Sequence, residues 1–142
     1  MILLDTSGII SALFPDQKHH EECARAIREA KRPLIITPFI LAEVDSMIQK
    51  FAGVETELEF LREIADRAYQ LVRFEDYDVG QCLKIIEDYK DLNIGLADAS
   101  IILWATRFRI RDVVTLDERH FRAIRIAGQG RRRLRLLPAD MK

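Results

Sequence analysis

The sequence predicts an α/β domain built on a parallel sheet with helices on both faces. Four short apolar runs, at residues 2–4, 34–36, 71–72 and 113–115, are separated by longer segments of helical periodicity. Short buried strands that alternate with helices in this way pair in parallel. The first and fourth runs each end beside an acid, Asp5 and Asp117. The carboxyl ends of parallel strands are where open sheets of this class hold their ligands.

Ile2-Leu3-Leu4 supplies the first strand. Thr6 or Ser7 is placed to cap the helix that follows, whose apolar side carries Ile9, Ile10, Leu13 and Phe14 until Pro15-Asp16 breaks it. A second helix is predicted over residues 18–30, with Cys23, Ala26, Ile27 and Ala30 inward. Leu34-Ile35-Ile36 is the second strand. Thr37-Pro38 then opens a helix, because proline suits a first helical position. Ile40, Leu41, Val44 and Ile48 line one face of that helix, and Gly53 ends it. Next come a helix from about residue 55 to 69, a weak third strand at Leu71-Val72, and helices over about 77–88 and 96–108. Val113-Val114-Thr115 is the fourth strand, and a short last strand over 134–137 follows a basic loop at 128–133.

A chain of 142 residues suits a single domain spanning 1–142. Its 49% hydrophobic and 32% charged residues provide a core with a solvated surface, which excludes a disordered or fibrous chain. Apolar runs fall well short of the roughly 20 residues that span a bilayer. Met1-Ile2-Leu3-Leu4 runs into Asp5 without the basic and apolar segments of a signal peptide. Cys23 and Cys82 lack a paired spacing. A cytoplasmic protein with reduced thiols and no membrane contact is expected. The net charge of −1 conceals a split: residues 1–100 hold 11 Lys/Arg against 19 Asp/Glu, net −8, and residues 101–142 hold 11 against 4, net +7. Such asymmetry is compatible with a polyanionic partner and equally with internal charge pairing.

The acids carry the chemistry. Core packing explains neither Asp5 nor Asp117, although a helix cap accounts for Asp5 taken alone. Glu43 adjoins the apolar face made by Ile40, Leu41, Val44 and Ile48, and Asp98 interrupts the apolar stretch from Ile94 to Leu103. An isolated acid among apolar residues is costly unless it is paired or binds a cation, although a first-turn Asp also gains from the helix dipole. Carboxylates gathered in one place repel each other, and a hard divalent cation relieves this. Such a site suits phosphodiester hydrolysis. Other chemistries fit less well. His19, His20 and His120 lack zinc-ligand spacing with the cysteines, and His120 reads as a surface turn residue. Asp5-Thr6-Ser7-Gly8 is not a nucleophile elbow, and Gly128-Gln129-Gly130 is not a dinucleotide loop. Trp104 and Phe108, four residues apart, read as core or protein interface rather than a base-stacking platform.

Four motifs occur in a characteristic order: Ile2-Leu3-Leu4-Asp5-Thr6-Ser7, Leu41-Ala42-Glu43-Val44, Leu96-Ala97-Asp98-Ala99-Ser100-Ile101, and Val114-Thr115-Leu116-Asp117-Glu118-Arg119-His120-Phe121. In these the chain resembles the PIN domains, and among them the VapC-type toxins of toxin–antitoxin pairs. The resemblance implies a three-layer sandwich with a sheet of four to five strands in the order 3-2-1-4-5. It implies an Mg²⁺- or Mn²⁺-dependent endoribonuclease in which Asp5, Glu43, Asp98 and Asp117 are the catalytic acids. Asp5 and Asp98 are then the main metal ligands, with Glu43 and Asp117 completing the site directly or through water. Thr6 and Thr115 are expected to orient neighbouring carboxylates. RNA as substrate, a cognate antitoxin and a homodimer follow from the same resemblance. Some features sit outside the pattern. Glu118 directly follows Asp117, Asp45 should face away from Glu43, and Asp112 should lie at the opposite end of the fourth strand. The run Arg131-Arg132-Arg133-Leu134-Arg135 is either an RNA contact or a solvated segment. Two other readings remain: a nuclease of the same fold in RNA processing or DNA cleavage, and a non-catalytic binding module.

Overall fold

The computed structural model describes residues 1–126 and 132–141, so Gly128–Arg131 of the predicted basic loop falls outside them. Five strands form one parallel sheet in the order β3-β2-β1-β4-β7. They are β1 (Ile2–Leu4), β2 (Leu34–Ile36), β3 (Gln70–Leu71), β4 (Asp112–Val114) and β7 (Arg135–Leu137). This is the expected order. Its last member counts as seventh because β5 (Arg125–Ile126) and β6 (Arg132–Arg133) form a separate antiparallel pair. Strands of two or three residues leave no room for alternation, and β1 and β2 are buried at every position, as expected of a sheet covered on both sides.

The described helices are α1 (Thr6–Leu13), α2 (His20–Glu29), α3 (Pro38–Ala52), α4 (Val54–Ala65), α5 (Asp76–Asp88), α6 (Leu96–Phe108) and α7 (Glu118–Arg122). Local chemistry sets some of their ends. Thr37 caps α3 by accepting from the Ile40 amide, and Pro38 fills the first helical position. Gly53 closes α3 at φ +89°, a backbone region that glycine enters without strain. Helix α4 stops at Ala65, earlier than expected, and Ala68 N–H bonds back to Glu63 O before the chain enters β3. Helix α1 begins differently from expectation. Its N-cap residue is Asp5, not Thr6 or Ser7, and the Asp5 side chain makes no capping bond.

One core joins the layers: Leu3, Leu4, Ile36, Val113 and Leu136 from the sheet with Ile9, Ile40, Ile48 and Ile101 from the helices. Under it, a fully buried Thr37 hydroxyl lies 2.8 Å from that of Ser100, which donates to Ala97 O at 2.6 Å. This pins α6 against the start of α3. Strands β1 and β4 are central neighbours, with Leu4 beside Val114. Whatever follows them emerges side by side at the carboxyl edge. Asp5 N–H donates to Val114 O at 3.0 Å, and Thr115 N–H donates to Leu137 O at 2.9 Å.

Candidate active site

Asp5 is buried, at 6% exposure, and its Oδ2 accepts two hydroxyls, Thr115 Oγ1 at 2.6 Å and Ser7 Oγ at 3.2 Å. Asp5 thus takes the cap position without a capping side-chain bond, and its carboxylate is held by the neighbouring strand end. Thr115 Oγ1 also accepts the Asp117 amide at 2.9 Å, and Ser7 Oγ accepts the Leu116 amide at 2.9 Å. Two hydroxyls thus tie the β1–α1 turn to the β4–α7 turn. Gly8 allows the approach, since a Cβ built there would lie 2.5 Å from Val114 O.

Glu43 comes from the exposed side of the first half of α3. Thr6 Oγ1 donates to its Oε1 at 2.6 Å, so the residue after Asp5 holds the second acid in place. Its neighbour Asp45 departs from the site, as helical geometry requires, and lies beside Glu57 of α4. Asp98, in the first turn of α6, is half-buried, and Asp117 is the N-cap of α7, its Oδ1 accepting the His120 amide at 3.1 Å.

The four acids sense each other. Burial pushes the Asp5 carboxyl up to about 6 from its ordinary value of 3.8. Repulsion from Asp98 adds to the effect, and the Thr115 hydroxyl partly offsets it. Asp98 is also raised, first by burial and further by the charges of Asp117 and Glu43, against the opposing influence of His120. Asp5, Glu43, Asp98 and Asp117 therefore share one electrostatic neighbourhood at the carboxyl edge of the sheet. Such a set is short of positive charge. Its oxygen donors, with two acids held in unfavourable surroundings, fit a divalent cation.

His120 is the residue that sequence reasoning missed. It is no surface turn residue: its Nδ1 lies 2.8 Å from Asp98 Oδ2 and 3.1 Å from Asp117 Oδ2. Asp98, Asp117 and His120 offer ligand atoms that all lie within 4.8 Å of one another. The signal was the i, i+3 spacing from Asp117, which places both side chains on one face once a helix is recognised there. That helix has only five residues, too few for an apolar period to reveal it.

Glu118 does not share the acid's role. It turns to Arg122, which it meets at 2.9 Å, and Arg122 is gripped by Asp140 through two bonds of 2.7 Å. Asp112 pairs with Arg135 at the amino edge of the sheet, the end opposite the acids. Cys23 and Cys82 are buried free thiols that burial pushes up to about 11, which keeps them protonated and unreactive. Trp104 packs against the core and stacks on Phe108 at 4.4 Å.

Comparison with known proteins agrees with this geometry. The PIN domain family matches residues 2–141. Ribonuclease VapC26 of Mycobacterium tuberculosis is 34% identical over 130 residues, covering 92% of this chain and 96% of that protein. Among solved structures, the VapC20 toxin of Mycobacterium tuberculosis, which cleaves the sarcin-ricin loop, superposes with a TM-score of 0.76 at 12% identity, over 82% of this chain and 90% of that one. A toxin–antitoxin complex from Klebsiella pneumoniae gives a TM-score of 0.66 at 20% identity, over 87% and 92%. With a parallel sheet in this order, four acids at its carboxyl edge and a match along nearly its whole length, the chain belongs to the PIN-domain family and is homologous to the VapC ribonucleases.

Proposed function

We propose that this protein is a divalent-metal-dependent endoribonuclease, the toxin of a VapBC-type pair, that hydrolyses RNA phosphodiester bonds at the Asp5–Glu43–Asp98–Asp117 cluster. The observation that carries it is the gathering of acids at the carboxyl edge of the sheet, with a buried Asp5 held by Thr115 and with Asp98 beside Asp117. Asp5 and Asp98 would hold an Mg²⁺ or Mn²⁺ ion, with Glu43 and Asp117 completing its surroundings directly or through water. When bound, the ion supplies an acidified water and neutralises charge on the phosphate.

The chain's own contribution is positioning. Thr115 fixes Asp5 and, through its amide contact, the turn that carries Asp117. Thr6 fixes Glu43, the more exposed acid, on the side open to a polymer. A cavity of about 940 Å³ lies elsewhere, lined by Arg32, Leu34, Tyr69 and Gln70 at the amino ends of β2 and β3. An open acidic edge rather than a deep pocket suits a chain-like substrate that is cut internally.

The same reading supplies partners: RNA, a cognate antitoxin protein and a second copy of this chain, all in the cytoplasm as one folded domain. The Klebsiella toxin–antitoxin complex and the DNA-bound VapBC of Salmonella typhimurium, which has a TM-score of 0.55 at 17% identity over 80% of this chain and 83% of that one, support it through their shared fold. Purified protein is incubated with structured RNAs and Mn²⁺ or Mg²⁺, beside Asp98→Asn. Metal-dependent cleavage that the variant lacks supports the function. Equal cleavage by both proteins removes it.

A further inference from the structure

The carboxylates proposed to hold the cation have a nitrogen donor among them. His120 Nδ1 stands between Asp98 Oδ2 and Asp117 Oδ2, at 2.8 and 3.1 Å. The backbone that carries the ring is held in place. Its own amide is bonded to Asp117 Oδ1 at 3.1 Å. The next residue, Phe121, is fully buried. The one after, Arg122, is clamped by Asp140 and Glu118. A cation approaching these two oxygens therefore meets the imidazole at the same place.

We infer that His120 is a direct metal ligand, so that this site holds a mixed oxygen and nitrogen set and favours Mn²⁺ over Mg²⁺. The inference rests on the proposed metal-dependent nuclease and deepens it. Carboxylates alone serve Mg²⁺ and Mn²⁺ alike, whereas imidazole suits transition metals and adds little for Mg²⁺, which prefers oxygen ligands and keeps its water. For the neutral ring, Nδ1 then donates its lone pair to the metal and Nε2 carries the proton.

Pulsed electron paramagnetic resonance on Mn²⁺-loaded protein reads the ligand directly. Nitrogen modulation of the strength given by a coordinated imidazole is expected in the wild type and absent in His120→Gln, with folding of both checked by circular dichroism. In competition titrations, the preference for Mn²⁺ over Mg²⁺ is expected to fall about tenfold in His120→Gln. Mn²⁺ bound without coordinated-imidazole coupling, or a preference unchanged by the substitution, overturns the ligand assignment and leaves His120 as a hydrogen-bond partner of Asp98. The acidic metal site then still stands. No Mn²⁺ bound by the wild type, with Asp98→Asn indistinguishable from it, overturns both the assignment and the function beneath it.

Discussion

Asp5 carries a cost that its hydroxyl partners only partly offset. Its carboxyl is pushed from 3.8 to about 6 by burial, with repulsion from Asp98 adding to it. Below about pH 4 the group is protonated in folded and unfolded chains alike, and the cost is absent. Between about 4 and 6 the unfolded chain releases its proton first, so stability falls as pH rises. Above about 6 the penalty is complete, on the order of 2–3 kcal/mol. Asp5→Asn is expected to remove this slope and raise the melting temperature of the metal-free protein at neutral pH while abolishing RNA cleavage. Urea titrations across pH 4–8 in chelator check it, and equal slopes for the two proteins would refute the account. Thr115→Val should act in the opposite sense. It deletes the donor to Asp5 and leaves the Asp117 amide without its acceptor, a loss of about 1–3 kcal/mol for a buried group. Cleavage should fall by about tenfold or more, read from single-turnover rates against chemical denaturation of the same variant. At this scale the sequence was uneven. Asp5 and Asp98 stood out by strand-end position and apolar surroundings. Glu43 is exposed and needed the family pattern, and His120 was hidden because its helix was.

The elements were legible in proportion to their length. Helix α6, with thirteen residues and an unbroken apolar face, ends where expected. The pair β5–β6 has two residues per strand and α7 has five, so neither repeats a pattern often enough to be read. The start of α1 was misplaced for a different reason. Asp5, Thr6 and Ser7 are all good caps, and local propensity cannot tell that Asp5 takes the cap position yet spends its carboxylate on Thr115. Packing between α1 and β4 also depends on an absence that propensity scales treat as a weakness. Gly8→Ala would place a methyl group 2.5 Å from Val114 O, where only backbone movement gives relief. A destabilisation of about 1–3 kcal/mol is expected, with a loss of cleavage larger than that of folded protein, because the shift separates Asp5 from Thr115. Comparing active-site titration with denaturation distinguishes the two. An alanine variant of wild-type stability and rate would show that the two elements have more room than their geometry allows.

The two edges of the sheet differ in charge. The acids lie at the carboxyl edge of the sheet, whereas β7 begins at the amino edge with Arg135 beside Asp112. Of the basic run, Arg132 and Arg133 are exposed, and Arg131 lies outside the described residues. The position of Arg135 argues against a direct role for it at the scissile bond. Arg135→Ala is expected to leave the saturated cleavage rate unchanged and to cost less than about 1 kcal/mol, as partly exposed ion pairs do. A drop in the saturated rate at unchanged stability would place Arg135 in the chemistry after all. The parallel sheet itself was legible from its apolar runs. The end at which the arginines sit was not, because that depends on the register of β7 against β4.

The bond from Thr115 N–H to Leu137 O reaches across the sheet beside the hydroxyl that holds Asp5, and Asp140 grips the helix that bears His120. The acidic edge therefore depends on residues that leave the ribosome after every acid of the cluster. A chain that ends before Arg135 should be inert toward RNA, and a proteolytic or ribosome-profiling time course can compare the appearance of cleavage with the emergence of this segment. An enzyme that destroys RNA is itself translated from RNA. Completion of its sheet after the last of these acids would keep each copy harmless to its own message until this segment has emerged.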